Sequence, residues 1–387
     1  MKILHVFDFF SPHGGGTVDL IYKLARAQAQ RGHQVTIYTS DFKLDQAYIA
    51  SLPEVKVYPF HCTSSLGLFY ITPSLVKAAR ENLKDFDVIH LHCARSYQNI
   101  IIHKYATKYG VPYIMDQHGS LPRTHGGRGP KWLLRWMFDV AVGNRILKDA
   151  GGLVGETQVG VSEFKPYRVD QSKVVLIPPP FPVEDFAQLP PRRLFRDKYS
   201  LKDKKIVMFL GRINWIKGLD FLAAGFASLA EVRKDAVLVI VGNDDGYKST
   251  LEHKISQLGI ADEVLFTGFL GGTDKLSALV DADVVIQTSR YEQGAWAPFE
   301  AVLCETPIIV SSNSGAGEDV KRIDAGYLVE FGNENELRDM IEYVFSNTSE
   351  AKAKAKKAKE YIKANLSMAK EVEKYEDLYK NVIERTK

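Results

Sequence analysis

Short apolar runs recur along the chain, each followed by a stretch whose apolar positions return every three or four residues. In the first half the runs fall at 3–9, 34–39, 55–60, 87–92, 112–117, 151–155 and 174–178. Amphipathic stretches such as 17–31 and 96–109 lie between them. Apolar runs without strict alternation read as strands buried on both faces. Strand and helix in alternation predict a parallel sheet covered on both sides.

The rhythm breaks at Ile177-Pro178-Pro179-Pro180-Phe181-Pro182. Proline has no N–H to give a sheet and fixes its own φ, so this stretch is expected to connect two domains, reaching as far as Pro190-Pro191. The pattern then restarts, with runs at 206–210, 237–241, 264–267, 284–287, 307–311 and 327–331. From about residue 333 it is helical only, and the Lys- and Ala-rich stretch 350–363 reads as an exposed helix. The expected fold is α/β: two Rossmann-like domains, their parallel sheets facing a central cleft. Residues 1–185 form the first domain and 186–370 the second, while 371–387 form a C-terminal helix free to pack back on the first. Open sheets of this kind bind ligands outside the carboxyl ends of their strands.

Composition narrows the function. A chain of 387 residues suits about two domains, and 50 basic against 47 acidic residues leave a net charge of only +3. Bulk charge therefore does not point to a nucleic-acid partner. The cysteines Cys62, Cys93 and Cys304 are too few and too scattered for a disulfide framework or a zinc site, which fits a cytoplasmic protein. The apolar start is cut by Asp8, too soon for a signal peptide, and no run reaches the roughly 18–20 apolar residues of a membrane span. Any membrane contact would be peripheral, on the inner face.

Candidate chemistry sits at strand ends. Gly14-Gly15-Gly16 follows the first strand and opens a helix, where glycines let backbone N–H groups approach an anion; a tight turn without ligand is an equal alternative. It is neither a dinucleotide fingerprint nor a Walker sequence. Gly211-Arg212 to Lys217-Gly218 holds the same place in the second half, and its two cations suit a diphosphate. The stretch Tyr291 to Ala301 places Glu292 in a loop and Glu300 eight positions on in a helix opened near Pro298. A carboxylate is a good anchor for vicinal sugar hydroxyls. His118 ends the fifth strand, although a lone histidine is more often structural.

Other features have plainer readings. His90 and His92 share one face of a strand; without an acidic partner at ligand spacing they read as a polar cleft edge rather than a metal site. Asp281 and Asp283 read as the end of a helix–strand loop. Residues 128–138 are basic and aromatic, with Trp132, Arg135, Trp136 and Phe138 in a short helix. That helix would either pack its tryptophans on the first domain, the commoner outcome, or rest on an anionic bilayer.

With these residues in this order, the chain resembles the retaining GT-B glycosyltransferases of family four, the glycosyl transferases group 1 type, over nearly its whole length. The most specific element is Glu292 with Glu300, supported by Arg212 with Lys217, by Gly14 to Gly16 and by His118 with Gly119. The resemblance implies that Arg212 and Lys217 hold the donor diphosphate and that Glu300 binds the ribose. Glu292 would hold the donor sugar with the backbone of Gly294, Ala295 and Trp296. Phe269 and Leu270 would cradle the base, Gly15 and Gly16 approach donor phosphates or acceptor, and His118 lie beside the reacting sugar. The chain departs from the family in having Gly294-Ala295 where an aromatic residue and then glycine are common, and in its proline-rich junction.

The implied reaction is transfer of a sugar to an acceptor hydroxyl with retained configuration, by front-face displacement without metal or cofactor. The donor is a nucleotide-sugar, a UDP-sugar ahead of a GDP-sugar, and the acceptor a carbohydrate or lipid-linked glycan. Two rival readings use the same donor site: a sugar-nucleotide epimerase, which needs cleft acid/base carboxylates, and a non-catalytic nucleotide-sugar-binding protein.

Overall fold

The computed structural model describes residues 1–66, 69–123, 130–294 and 296–386. It divides into two compact units. Met1–Pro180 together with Met368–Lys387 form the first, and Phe181–Ser367 the second.

The apolar runs become strands. In the first unit these are β1 (Lys2–Val6), β2 (Gln34–Ser40), β3 (Lys56–Phe60), a small antiparallel pair β4 (Ser64–Leu66) and β5 (Phe69–Ile71), then β6 (Val88–His92), β7 (Tyr113–Asp116), β8 (Gly152–Gly155) and β9 (Val174–Leu176). Apart from β4 and β5 they form one parallel sheet in the order β3-β2-β1-β6-β7-β8-β9. The second unit repeats the plan with β10 (Lys205–Leu210), β11 (Ala236–Val241), β12 (Val264–Gly268), β13 (Val284–Gln287), β14 (Ile308–Ser311) and β15 (Tyr327–Val329). Its parallel sheet runs β12-β11-β10-β13-β14-β15. In both units the first strand is central and the order reverses beside it, which is the Rossmann arrangement and sets the switch point where ligands bind.

Alternation along the strands of the first sheet decides what each helix layer covers. Leu4, Val6, Ile89, Leu91 and Met115 pack into one core. Ile3, Val88, Ile114 and Val154 face the other way and meet the helix Met368–Thr386. That helix shows the sheet Val372, Tyr375, Tyr379 and Val382, a stripe spaced by three and four residues and fully buried. The last helix of the described chain is thus a structural layer of the first unit.

The helix Thr348–Asn365 differs from the expected exposed helix. Its Ala351, Ala355, Ala358 and Ile362 form a buried face, with Ala358 and Ile362 in the second unit's core. Alanine is too small to signal burial by hydropathy, yet it lets two helices approach closely.

Candidate functional site

In the second unit, β10 ends at Leu210, and the loop that Gly211 opens turns tightly against its neighbours. A Cβ on Gly242 would lie 1.8 Å from the Gly211 carbonyl oxygen, and one on Gly218 would lie 1.9 Å from that of Thr288. Gly218 also has φ +65°, a left-handed conformation that closes the single turn Trp215–Lys217. Gly242 thus lets the end of β11 meet the start of the β10 loop, and Gly218 brings that loop against the end of β13.

That contact joins two of the expected site residues. The Lys217 ammonium donates to Glu292 Oε2. Ser289 Oγ donates to the same oxygen at 3.0 Å and Gln287 Nε2 at 3.3 Å. Glu292 is fixed further by its own carbonyl, which accepts from Gly315 N–H at 2.7 Å. Arg212 is instead half exposed and pairs with Asp245 at 2.6 Å. Glu300, buried in the helix Trp296–Leu303, accepts from Lys275 at 2.7 Å. Each carboxylate of the pair therefore has its own lysine.

The remaining expected contacts divide by exposure. Phe269 is half exposed, whereas Leu270 is buried in the core and leaves only its main chain to offer. Trp296 packs on Phe181, ring centroids 5.2 Å apart. Gly294 is half-buried, and Ala295 lies outside the described residues. Asp281 and Asp283 are occupied structurally. Asp281 accepts from the N–H groups of Arg193, Phe195 and Arg196, and Asp283 from Ile206 N–H and the Arg196 guanidinium.

In the first unit the glycine loop caps the helix Gly16–Gln30. Gly15 has φ +79°, and a Cβ on Gly14 would lie 2.3 Å from Val18. Gly15 is half-buried and Gly16 exposed.

His118 follows β7 with φ +43°, and Gly119 with φ +71°. Two successive left-handed residues are costly where one of them carries a side chain. The turn is held from both sides. The Arg95 guanidinium, itself paired with Asp139, donates to the carbonyls of Ser120 and Leu121. The imidazole is only 2% exposed, while the residue as a whole is half-buried, so its outward part is backbone. Both ring nitrogens are occupied: Nε2 lies 2.9 Å from His92 Nδ1 and Nδ1 lies 2.7 Å from Glu156 Oε1.

His90 and His92 are not at a polar edge, as their pattern suggested, but fully buried. Register places His5 beside His90 and His92 beside Asp116, all on the face covered by the helix Met368–Thr386. Tyr379 and Tyr375 supply the hydroxyls these groups need: Tyr375 donates to Asp116 Oδ2 and Tyr379 meets His90 Nδ1, each at 2.8 Å. Burial lowers His5 to about 4 and His92 well below its usual range. Burial also raises Asp116 to about 6, despite the neighbouring His118.

Among the described residues, two groups gather ligand-type atoms, His5/His90/His92 and Asp116/His118/Glu156. Hydrogen bonds within the protein already engage most of these atoms, leaving His90 Nε2 and Asp116 Oδ1 without one.

The helix Pro130–Phe138 turns Leu133, Leu134, Trp136 and Met137 outward, whereas Phe138 is buried. Arg135 donates to the Arg123 carbonyl at 3.1 Å. Residues 124–129, including the start of the basic segment, lie outside the described residues. No helix among the described residues is long and apolar enough to cross a membrane.

Glu156, Lys275 and Gln293 were not singled out in the sequence. Glu156 ends its strand as His118 does, which was a usable signal. Gln293, between the two site glutamates, is buried with neither amide atom hydrogen-bonded among the described residues, and nothing in its sequence context announced that.

Two α/β units of Rossmann order, with a lysine–glutamate pair at the switch point of the second, recur in known proteins. Residues 191–364 match the glycosyl transferases group 1 model and residues 14–185 the Glycosyltransferase Family 4 model. The chain belongs to these glycosyltransferases, with the GT-B fold. The putative glycosyltransferase YtcC of Bacillus subtilis is 26% identical over 199 residues, 50% of this chain, and the match spans about half (49%) of YtcC. The GDP-mannose-dependent alpha-(1-6)-phosphatidylinositol dimannoside mannosyltransferase of Mycobacterium tuberculosis is 23% identical over 82% of this chain and 81% of its own. The crystal structure of Anabaena HepE in complex with UDP and glucose has a TM-score of 0.81 at 19% identity, covering 97% of this chain and 98% of that one. At that identity the likeness concerns the fold.

Proposed function

We propose that the protein transfers a sugar from a nucleotide-sugar donor to the hydroxyl of a carbohydrate or lipid-linked acceptor, with retained anomeric configuration and without a metal. The observation that carries this reading is the Lys217–Glu292 pair where β10 and β13 end, with Glu300 and its Lys275 eight residues further on. The donor diphosphate would draw on Lys217 and Arg212, the ribose on Glu300, and the sugar on Glu292. His118 would contribute its outward main chain, because its ring nitrogens are engaged. The acceptor oxygen bonds to the anomeric carbon on the face that the diphosphate leaves. The carbon–oxygen bond to phosphate breaks, and the acceptor proton passes to the departing phosphate oxygen. Lys217 stabilises the charge that develops there.

Relatives do not choose the base: HepE was crystallised with UDP, and the mycobacterial relative is GDP-mannose-dependent. Thermal-shift measurements with UDP-, GDP- and ADP-sugars test the reading, since a ligand that binds only the native state raises apparent stability. One base series should raise Tm. No rise with any of them at millimolar concentration overturns the reading.

The outward row of Leu133, Leu134, Trp136 and Met137 supports a peripheral seat on a bilayer, where a lipid-linked acceptor would be found.

A further inference from the structure

The buried histidines form a directed chain whose proton count can be worked out. Gln28 Nε2 donates to Tyr379 at 3.1 Å, so its Oε1 faces His5 Nε2 at 2.7 Å and accepts from it. His5 then carries its hydrogen on Nε2, and its bare Nδ1 accepts from His92 Nε2 at 2.9 Å. His92 Nδ1 is bare in turn and accepts from His118 Nε2 at 2.9 Å. His118 has now spent the single hydrogen of a neutral ring. Its Nδ1 nevertheless lies 2.7 Å from Glu156 Oε1 and 3.4 Å from Asp116 Oδ1. With the Gln28 amide in this orientation, two bare acceptors at 2.7 Å would repel, so one further proton lies between His118 and Glu156.

We propose that Glu156 is a positioning residue of the site: it holds His118 as an imidazolium, and that one proton sets the direction of the whole chain and fixes the left-handed turn at His118–Gly119. The proposal rests on the transfer reading above for its importance to activity, though not for the proton itself. An imidazole is intrinsically the stronger base of the pair, so the ring keeps the proton. Burial alone would lower the His118 pKa, but the charge of Asp116 and the hydrogen bond to Glu156 outweigh it and raise it. The titratable groups facing the ring are His92 from β6, Asp116 from β7 and Glu156 after β8. Beyond them lie His5 and His90, Asp8, Cys93 and the Tyr375 hydroxyl. All the rings except His118 are held neutral by burial, with His90 and His92 lowered further by their neighbours.

When the proton leaves, His118 keeps one hydrogen for two acceptors, and either the His92 link or the Glu156 link opens. The turn then loses one of the two contacts on its ring, and the half-buried main chain of 118–120 shifts. Sugar transfer should therefore show a basic limb in kcat.

Selective 15N labelling of the histidine rings in the full-length protein tests the proton directly. At pH 8, where exposed histidines are neutral, the wild type should show an imidazole protonated on both nitrogens that is absent from Glu156→Gln. The glutamine amide can donate to a neutral His118, so this variant keeps a partner for Nδ1 while losing the charge. Kinetics add a readout that mere scaffolding would not move. The basic limb of kcat should vanish in Glu156→Gln, whereas Glu156→Leu should lower kcat at every pH by about ten- to a hundredfold, the scale of a small misplacement of reacting groups. Thermal unfolding of both variants confirms that they are folded. A neutral His118 at pH 8 in the wild type, or an imidazolium indifferent to Glu156→Gln, overturns the proposal. An unmoved basic limb in Glu156→Gln, or wild-type kcat in Glu156→Leu, overturns its link to the site. If no donor sugar is turned over by the wild type, the transfer reading fails while the ring protonation is still decided.

Discussion

Removing Glu292 should leave nucleotide binding intact or improve it, while crippling turnover. Glu292 occupies the Lys217 ammonium, and both side chains are mostly covered, at 14% and 16% exposed. A donor diphosphate needs that ammonium and must compete for it. A hydrogen bond to a charged group contributes about 1.5–3 kcal/mol. Only part of that is recovered, because Lys217 regains some hydration when freed. A gain of about 1 kcal/mol, several-fold in Kd, is the expected ceiling for UDP or GDP binding to Glu292→Ala. The same variant should lose kcat by about tenfold or more, since the donor sugar gains positive character only in the transition state. Glu300→Ala should behave oppositely. It removes the proposed ribose partner and leaves Lys275 without its carboxylate, weakening free UDP or GDP by about 1.5–3 kcal/mol. Calorimetry with the free nucleoside diphosphates, beside transfer kinetics, separates the two. Loss of diphosphate binding in Glu292→Ala with retention in Glu300→Ala would refute the assignment of both residues.

Transfer should survive EDTA, because Lys217 and Arg212 are proposed to neutralise the diphosphate; activity abolished by EDTA and restored by Mg²⁺ or Mn²⁺ would show otherwise. The protein should sediment with anionic liposomes, less so at high salt as screening shortens the reach of its charges. Trp136→Ala combined with Leu134→Ala should reduce sedimentation, and unchanged sedimentation removes the membrane idea. Burial raises the Asp8 carboxyl to about 7. Its folded pKa lies above the unfolded value of 3.8, so ionisation costs stability progressively between those values and fully above about pH 7. The Tm gained by Asp8→Asn should therefore grow from pH 5 to pH 8, and a gain larger in acid contradicts the sign. Replacing Gln293 by Met, of similar shape, should leave stability equal or higher, because its buried amide has no partner to lose; a fall of more than about 1 kcal/mol in urea unfolding would reveal a partner.

The strands were legible because both faces of a parallel sheet are covered, which turns each strand into an apolar run. The glutamate pair and the two lysine and arginine candidates were legible as polar residues at strand ends. The fate of His90 and His92 was not. Their alternation assigns them one face but says nothing of what covers it, and the cover arrives 289 residues later as Tyr379. The partner of Glu156 was hidden likewise, since pairing across neighbouring strands depends on register. The Ala face of Thr348–Asn365 was missed for a different reason: close packing of small residues leaves almost no hydropathy signal.

The chain passes from the first unit to the second at Pro180/Phe181 and returns at Ser367/Met368. During synthesis the ribosome therefore delivers the whole second unit before the helix that covers His5, His90 and Asp116. The second unit, contiguous in the chain, can fold as it emerges. The first must wait with one sheet face open and its buried histidines wet, so it is the part a chaperone would need to shelter. For the same reason a nonsense codon just after Ser367 would not trim a tail; it would release a protein whose second unit is whole and whose first cannot close.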